Sequence, residues 1–181
     1  LLCTIVISAM FSDILQYNGL LNEIFRKIGL NFLVNDWFSN EKTALPMIIG
    51  LNAWQFAGYG SVIYLAGLQT ISREYYEAAN IDGAKGFKVF RYVTLPLLMP
   101  SVTIMTFMSI TGGLKYFEIP YVLTNGGPGM ATETMCTVIY RLAFNQRRFG
   151  LATAVSVVFF IIIAVVSVIQ VSYMRKREVS M

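Results

Sequence analysis

The chain has no histidine, which removes both the most frequent general base and the most frequent metal-ligating imidazole. It has two cysteines, Cys3 and Cys136, far apart and in segments of different kind, so neither a zinc site nor a disulfide is expected. Charge is scarce too. Asp, Glu, Lys and Arg make up 13% of the residues, about half the share of a soluble domain. No paired carboxylates stand within the apolar runs. There is no Walker A sequence, no Gly-rich phosphate loop and no Mg²⁺ carboxylate. These absences predict a chain that is not an enzyme, with no catalytic residue, no metal ligand and no cofactor of its own. The net charge of +4 would point to nucleic acid in a soluble protein. Here no basic patch with interleaved aromatics marks a polar surface, and nucleic acid is not an expected partner.

Apolar residues fill the space that charge leaves. They form 56% of the chain, and the mean hydropathy is +0.60. The 181 residues begin with Leu inside an apolar run, which is read as the remainder of a truncated span in a C-terminal fragment of a longer protein. Spans are expected at about 1–15 (truncated), 44–68, 95–117 and 150–173. Ala44–Leu68, Leu95–Leu114 and Gly150–Tyr173 contain no charge over 25, 20 and 24 residues. A helix needs about 20 such residues to cross the hydrocarbon core. The expected fold is an all-α, polytopic helical bundle in a lipid bilayer.

Basic residues set the expected orientation. Segment 71–94 carries Arg73, Lys85, Lys88 and Arg91, and the C-terminal tail carries Arg175, Lys176 and Arg177. Two spans separate these segments, so they share a side. The loops 16–43 and 119–149 carry Arg26, Lys27, Lys42, Arg141, Arg147 and Arg148 over more residues. The denser basic side is expected to be cytoplasmic, with the C-terminus on it.

The most informative stretch is Glu77-Ala78-Ala79-Asn80-Ile81-Asp82-Gly83-Ala84, followed by Val93-Thr94-Leu95-Pro96. It reads as helix, sharp turn, helix and return to apolar sequence. Gly83 can take the positive φ that ends one helix and redirects the next. Pro96 suits the first turn of a new helix, where its missing N–H costs little. Ala78, Ala79 and Ala84 are small enough for a partner to approach their backbone closely. The pattern resembles the EAA loop of permease subunits in binding-protein-dependent ABC importers. That resemblance implies that the loop 71–94 docks on an ATPase through Glu77, Ala78, Ala79, Asp82, Gly83, Ala84, Leu95 and Pro96. Ser72 stands before Arg73 where the family commonly has Pro.

Other segments extend the resemblance from about Gly19 to the basic tail. Gly19-Leu20-Leu21-Asn22 is followed by a short amphipathic stretch, Leu21–Ile28, that suits a membrane surface, with Trp37 and Phe38 as interfacial anchors. Leu123-Thr124-Asn125-Gly126-Gly127-Pro128-Gly129 forces a tight turn. Met135 to Phe144 suits an amphipathic helix on the outer surface. Gly150, Ala152 and Ala154 would let membrane helices pack closely. The whole order is similar to the C-terminal third of maltose-permease-like sugar permeases, and implies the last four of six spans.

A substrate path needs polar groups at membrane depth, where they are expensive unless they line a cavity or pair. Asn52, Gln55 and Tyr59, spaced i, i+3 and i+7, share one helical face. They combine amides for sugar hydroxyls with an aromatic ring, although a helix-packing face with interhelical hydrogen bonds would use the same residues. Gly112 and Gly113 can unwind the helix beside Lys115 and Glu118, which are spaced to pair. The resemblance points to Gly113, Lys115 and Tyr116 as substrate-path residues. Lys115 stands where neutral amides are common, so it would either meet an anionic or larger saccharide or only snorkel to the interface.

Together these features imply a permease subunit of an ATP-driven importer, in a bacterial or archaeal cytoplasmic membrane, moving a sugar or oligosaccharide. ATP and Mg would bind a partner ATPase. The implied partners are two ATPase subunits, a second permease subunit (a paralogue), an extracytoplasmic solute-binding protein and the lipid bilayer. An ion-coupled secondary transporter or channel subunit is the alternative, but Asp13 and Glu118 lie at the edges of the apolar runs, not their centres.

Overall fold

The structure, a computed structural model, describes residues 4–176, and among them all regular structure is helical. Cys3 and Arg177 lie outside the described residues. Two compact units form, one from residues 4–55 and 114–159, the other from 56–113 and 160–176.

In the first unit, α1 (Thr4–Leu15) ends at a sharp turn into α2 (Leu20–Lys27). Gly19 makes that turn possible, because a Cβ there would run into the carbonyl of Ile14. Its φ of −79° is ordinary, so the requirement is space and not backbone handedness. The loop beyond α2 is organised by one buried side chain. The Asn22 amide donates to the carbonyls of Tyr17 (3.1 Å) and Asn35 (2.7 Å), and its oxygen accepts from Trp37 Nε1 (3.1 Å). Trp37 is therefore tied inward by its indole and leans on Phe25, not free as an interfacial anchor. Ile7 of α1, Ile48 and Leu51 from the first half of α3 (Glu41–Gln69), and Ile119 of α8 (Glu118–Thr124) form the core of this unit. Phe11, Phe38, Tyr116 and Leu123 pack around it, which places Phe38 against the core as well.

The Gly-Gly-Pro turn follows α8. Asn125, Gly126 and Gly129 take positive φ, and Gly127–Pro128 is cis. Thr132 knits the turn: its hydroxyl donates to the Gly127 carbonyl (2.7 Å) and lies 2.6 Å from that of Thr124. Glu133 pairs with Arg141. Thr134 then caps α9 (Met135–Tyr140), with reciprocal bonds to Thr137. A π-helical turn, Arg141–Asn145, follows, so the predicted helix over 135–144 is present with a wide last turn. Phe117, Tyr121, Tyr140, Phe144 and Phe149 form a run of ring contacts with successive centroids 4.8–6.3 Å apart.

In the second unit, the later half of α3 meets α7 (Met99–Leu114) at Gly60 and Gly67. A Cβ on Gly60 would lie 3.1 Å from the Met105 methyl, and one on Gly67 would strike the Ser101 hydroxyl. These glycines make the close approach that the sequence reading assigned to Gly150, Ala152 and Ala154. Of those three only Ala152 is buried, and Gly150 faces open space.

Two of the segments expected to span are continuous helices, and the third is bent. Helix α10 (Phe149–Arg175) is one unbroken helix of 27 residues, with a mean hydropathy of 2.9 over its most apolar stretch. Helix α3 covers 44–68 in one piece of 29 residues, with Pro46 tolerated near its start. Its polar residues leave it below the hydropathy of a self-evident span. Segment 95–117 is not straight. A helical arm, Phe87–Leu97, meets Met99–Thr124 at a bend of 70°. Pro96 does not open an independent helix: it follows a π-helical stretch, Phe90–Thr94, and sits inside α6 (Leu95–Leu97). A proline ring clashes with the carbonyl four residues back, and a widened turn relieves that clash. Pro100 occupies the first turn of α7, where a missing N–H is harmless.

Candidate functional site

Two groups of residues are candidates, one in each unit. The first is the hairpin of α4 (Arg73–Ile81) and the arm that begins with α5 (Phe87–Val89). Ser72 caps α4, its hydroxyl accepting from the Glu74 N–H at 3.3 Å. A Ser in the place of a Pro therefore still starts the helix, by a hydrogen bond in place of a fixed φ. At the other end Gly83 has a φ of +76°. The Gly83 N–H donates to the Asn80 carbonyl (3.1 Å) and the Ala84 N–H to the Ala79 carbonyl (2.9 Å). This pair of bonds is the Schellman closure of a helix, with glycine at the left-handed position.

The alanines thus have different tasks. Glu77 and Ala78 face out. Ala79 is buried, and Ala84 is half-buried where the closure folds it back toward Ala79. Ala79 is therefore not open to a partner as the sequence reading had it. Asp82 and Gly83 are exposed, and a Cβ on Gly83 would meet nothing within 4 Å. Beside them Ile81 is 87% exposed and Phe87 76% exposed; the sequence reading had Ile81 within its motif but gave it no role, and did not single out Phe87. Leu95 and Pro96 lie at the far end of the arm and are half-buried.

The second group is in the first unit. The Tyr116 hydroxyl is buried without a hydrogen-bond partner, and the Asn52 amide lies beside it but outside hydrogen-bond geometry. Gln55 donates through Nε2 to the Thr4 hydroxyl (3.2 Å), while its buried Oε1 has no partner. Unpaired buried polar atoms cost about 1–3 kcal/mol each, so these mark a place where a ligand hydroxyl would be welcome. Lys115 is exposed in the break between α7 and α8 and does not pair with Glu118. Its charge is felt by the Cys136 thiol, which burial pushes up and Lys115 pulls partly back.

The structure brings Asn52 and Tyr116 together in the first unit, with Gln55 one turn along α3. Tyr59 and Gly113 belong to the second unit. Tyr59 is exposed, its hydroxyl 3.6 Å from the Met108 sulfur. Gly112 and Gly113 remain helical inside α7, and the chain leaves the helix at Lys115 instead. Glycine is permissive, but nothing at these two positions demands the freedom. Among the described residues no cluster of side chains suits a metal ion.

A polytopic helical chain with an exposed glycine-capped hairpin and unpaired polar groups beside its core has the character of a membrane transport component. The chain belongs to the family of binding-protein-dependent transport system inner membrane components, whose model matches residues 1–178. It is 36% identical over 94% of its length to the probable ABC transporter permease protein YurN of Bacillus subtilis (strain 168), and covers 59% of that protein. It is 33% identical over 97% of its length to the multiple sugar-binding transport system permease protein MsmF of Streptococcus mutans serotype c, covering 60% of it. A crystal structure of a bacterial ABC transporter involved in the import of the acidic polysaccharide alginate has the same fold. It superposes with a TM-score of 0.86 over 97% of this chain and 61% of that one, at 24% identity. The chain thus spans about three-fifths of the length of these relatives.

Proposed function

We propose that the protein of which this chain forms part is the membrane-spanning permease subunit of an ATP-driven importer, and that its cargo is a sugar or oligosaccharide. The observation that carries this reading is the hairpin 73–97. A helix closed by Gly83 presents Glu77, Ala78, Asp82 and the uncovered Ile81 and Phe87 as a firm protrusion. Such a shape suits docking into a groove on a separate ATPase subunit, which would bind ATP and Mg. Two ATPase subunits, a paralogous second permease and an external solute-binding protein would complete the assembly in the cytoplasmic membrane. The spans near 44–68, 95–117 and 150–173 would cross the bilayer, with segment 71–94 on the cytoplasmic side. Closure of the ATPases would push the hairpin and switch the path from one face of the membrane to the other. Asn52, Gln55, Tyr59, Gly113, Lys115 and Tyr116 would lie along that path, and the buried unpaired Tyr116 hydroxyl and Gln55 oxygen supply the hydrogen-bonding capacity a carbohydrate needs. Relatives named for multiple sugars and for arabinooligosaccharides support the cargo class.

The test is co-purification from membranes of the full-length protein with its ATPase, compared with a Gly83→Trp variant and a Gly83→Asn control. Asn tolerates left-handed φ, so the control keeps the turn without the bulk. Retention by wild type and control, with loss in the Trp variant, supports the reading. If no form retains an ATPase and uptake proceeds without one, an ion-coupled transporter replaces it.

A further inference from the structure

Among the described residues, buried side-chain nitrogens and oxygens without a hydrogen-bond partner belong to three residues: Gln55, Tyr116 and Gln170. The sequence pattern and the family resemblance point to Gln55 and Tyr116 as substrate-path residues. Gln170 belongs to none of the motifs, yet it carries the same signature in fuller form. Its Oε1 and its Nε2 are both buried and both unpaired, and the residue as a whole is 9% exposed.

Gln170 lies on α10, which has no charged residue from Phe149 to Met174. It stands five positions before Arg175, about 7–8 Å along the helix axis. Ile163, Val166, Gln170 and Met174, spaced i, i+3, i+7 and i+11, form one stripe of the helix, and all four are buried or half-buried. The other three are apolar. A stripe whose only task is packing would hold Leu or Met at 170, because an amide with nothing to bond loses its hydration and gains nothing in return. Within hydrocarbon the loss is greater, and polar groups there line cavities and pathways or pair with one another.

The two atoms are closed off by the chain's own helices. A segment elsewhere in the longer protein, or another subunit, cannot reach them unless those helices part. Whatever satisfies this amide therefore enters only when the closed arrangement gives way. Water and the hydroxyls of a carbohydrate are the groups that enter a sugar path, and an amide suits both, donating through Nε2 and accepting through Oε1.

We infer that Gln170 is a further substrate-path residue, near the basic end of α10, opened in one state of the transport cycle and closed in the present structure. When open, its Nε2 donates to a hydroxyl of the passing cargo and its Oε1 accepts from one. The inference rests on the importer reading above and adds to it a contact on the cytoplasmic part of the last span.

The experiment uses the full-length permease in its assembled transporter, in nanodiscs, with the native cysteines replaced by Ser. A Gln170→Cys variant is treated with a charged methanethiosulfonate, which reacts only where water reaches the thiol, in three conditions: no nucleotide, ATP, and ATP with vanadate. A Thr103→Cys variant is the control. Thr103 is 6% exposed and in the same unit, but its hydroxyl is satisfied by the Met99 carbonyl at 2.9 Å. The rate at position 170 is expected to change by about tenfold between conditions, as a two-state opening requires, while the control stays unreactive. Gln170→Leu removes both unpaired atoms at similar volume, so its thermal midpoint should hold or rise. Reactivity at 170 that is the same in all three conditions, in a transporter that hydrolyses ATP, overturns the inference and leaves the importer reading standing. Equal reaction of the control overturns it too, since labelling then reports a general loosening of the helices. A lowered midpoint for Gln170→Leu overturns it by showing that the amide is paired in the assembled protein. A preparation that neither retains an ATPase nor hydrolyses ATP overturns the importer reading, and this inference with it.

Discussion

The loop 16–40 and the hairpin 73–97 are both polar insertions between apolar helices, and they are built by opposite means. The loop depends on a side chain. Asn22 is fully buried, and five backbone or side-chain groups converge on its one amide. The hairpin depends on backbone: Ser72 starts it, Gly83 ends it, and most of its side chains face outward. A structure held by its backbone can spend its side chains on a partner. A structure held by a buried side chain fails when that side chain is lost.

The largest effect that would break this contrast is expected from Asn22→Leu. It strands the Trp37 indole N–H and the carbonyls of Tyr17 and Asn35, at about 1–3 kcal/mol for each group that water cannot reach. Loss of the folded, monodisperse protein in detergent is expected, read by fluorescence-detected size exclusion after heating. Gly19→Ala comes next, because its new methyl meets the Ile14 carbonyl with no room to move. A cost of about 1–3 kcal/mol is expected, seen as a lowered midpoint in the same assay. Gly83→Ala is smaller: it meets open space, and only the left-handed φ resists it, at about 1 kcal/mol. Folding should survive, while coupled uptake falls further than stability alone explains. Ile81→Ser should leave stability within about 0.5 kcal/mol, since an exposed side chain away from any packing rarely matters more, but should weaken retention of the ATPase. Tyr116→Phe sharpens the comparison from the other side. It removes a hydroxyl that has no partner, so thermal stability should hold or rise slightly while uptake falls. Unchanged uptake would take Tyr116 out of the path.

The helical class, the hairpin and the helix closure at Gly83 were legible in the sequence, because each follows from local chemistry: apolar length and a glycine where φ turns positive; the cap by Ser72, noted in the sequence only as a departure from Pro, was not. The helix over Met135–Phe144 was legible for the same reason. Long-range geometry was less so. The sequence offered Trp37 as a membrane anchor because nothing local shows that its N–H reaches Asn22, fifteen positions earlier. Gly60 and Gly67 looked no different from Gly112 and Gly113, yet only the first two face side chains of another helix closely, Gly67 with no space for a Cβ and Gly60 with a tight contact to the Met105 methyl. Ala79 and Ala78 are adjacent letters of one motif, about a hundred degrees apart around the helix, and which of them is covered depends on packing that the motif does not show. In the candidate path, Asn52 and Tyr116 were both chosen in advance, but their juxtaposition depends on α8 returning to the core beside α1 and α3.

At Leu98 the chain turns a corner of 70°. Two prolines flank it, Pro96 and Pro100, and the turn before it is π-helical, so regular i to i−4 bonding is interrupted there. If a docked ATPase pushes along the arm Phe87–Leu97, as proposed above, only the smaller part of the thrust would run down the axis of α7. At 70° it would arrive largely sideways, as a torque that favours tilting of the receiving helix over sliding along its axis.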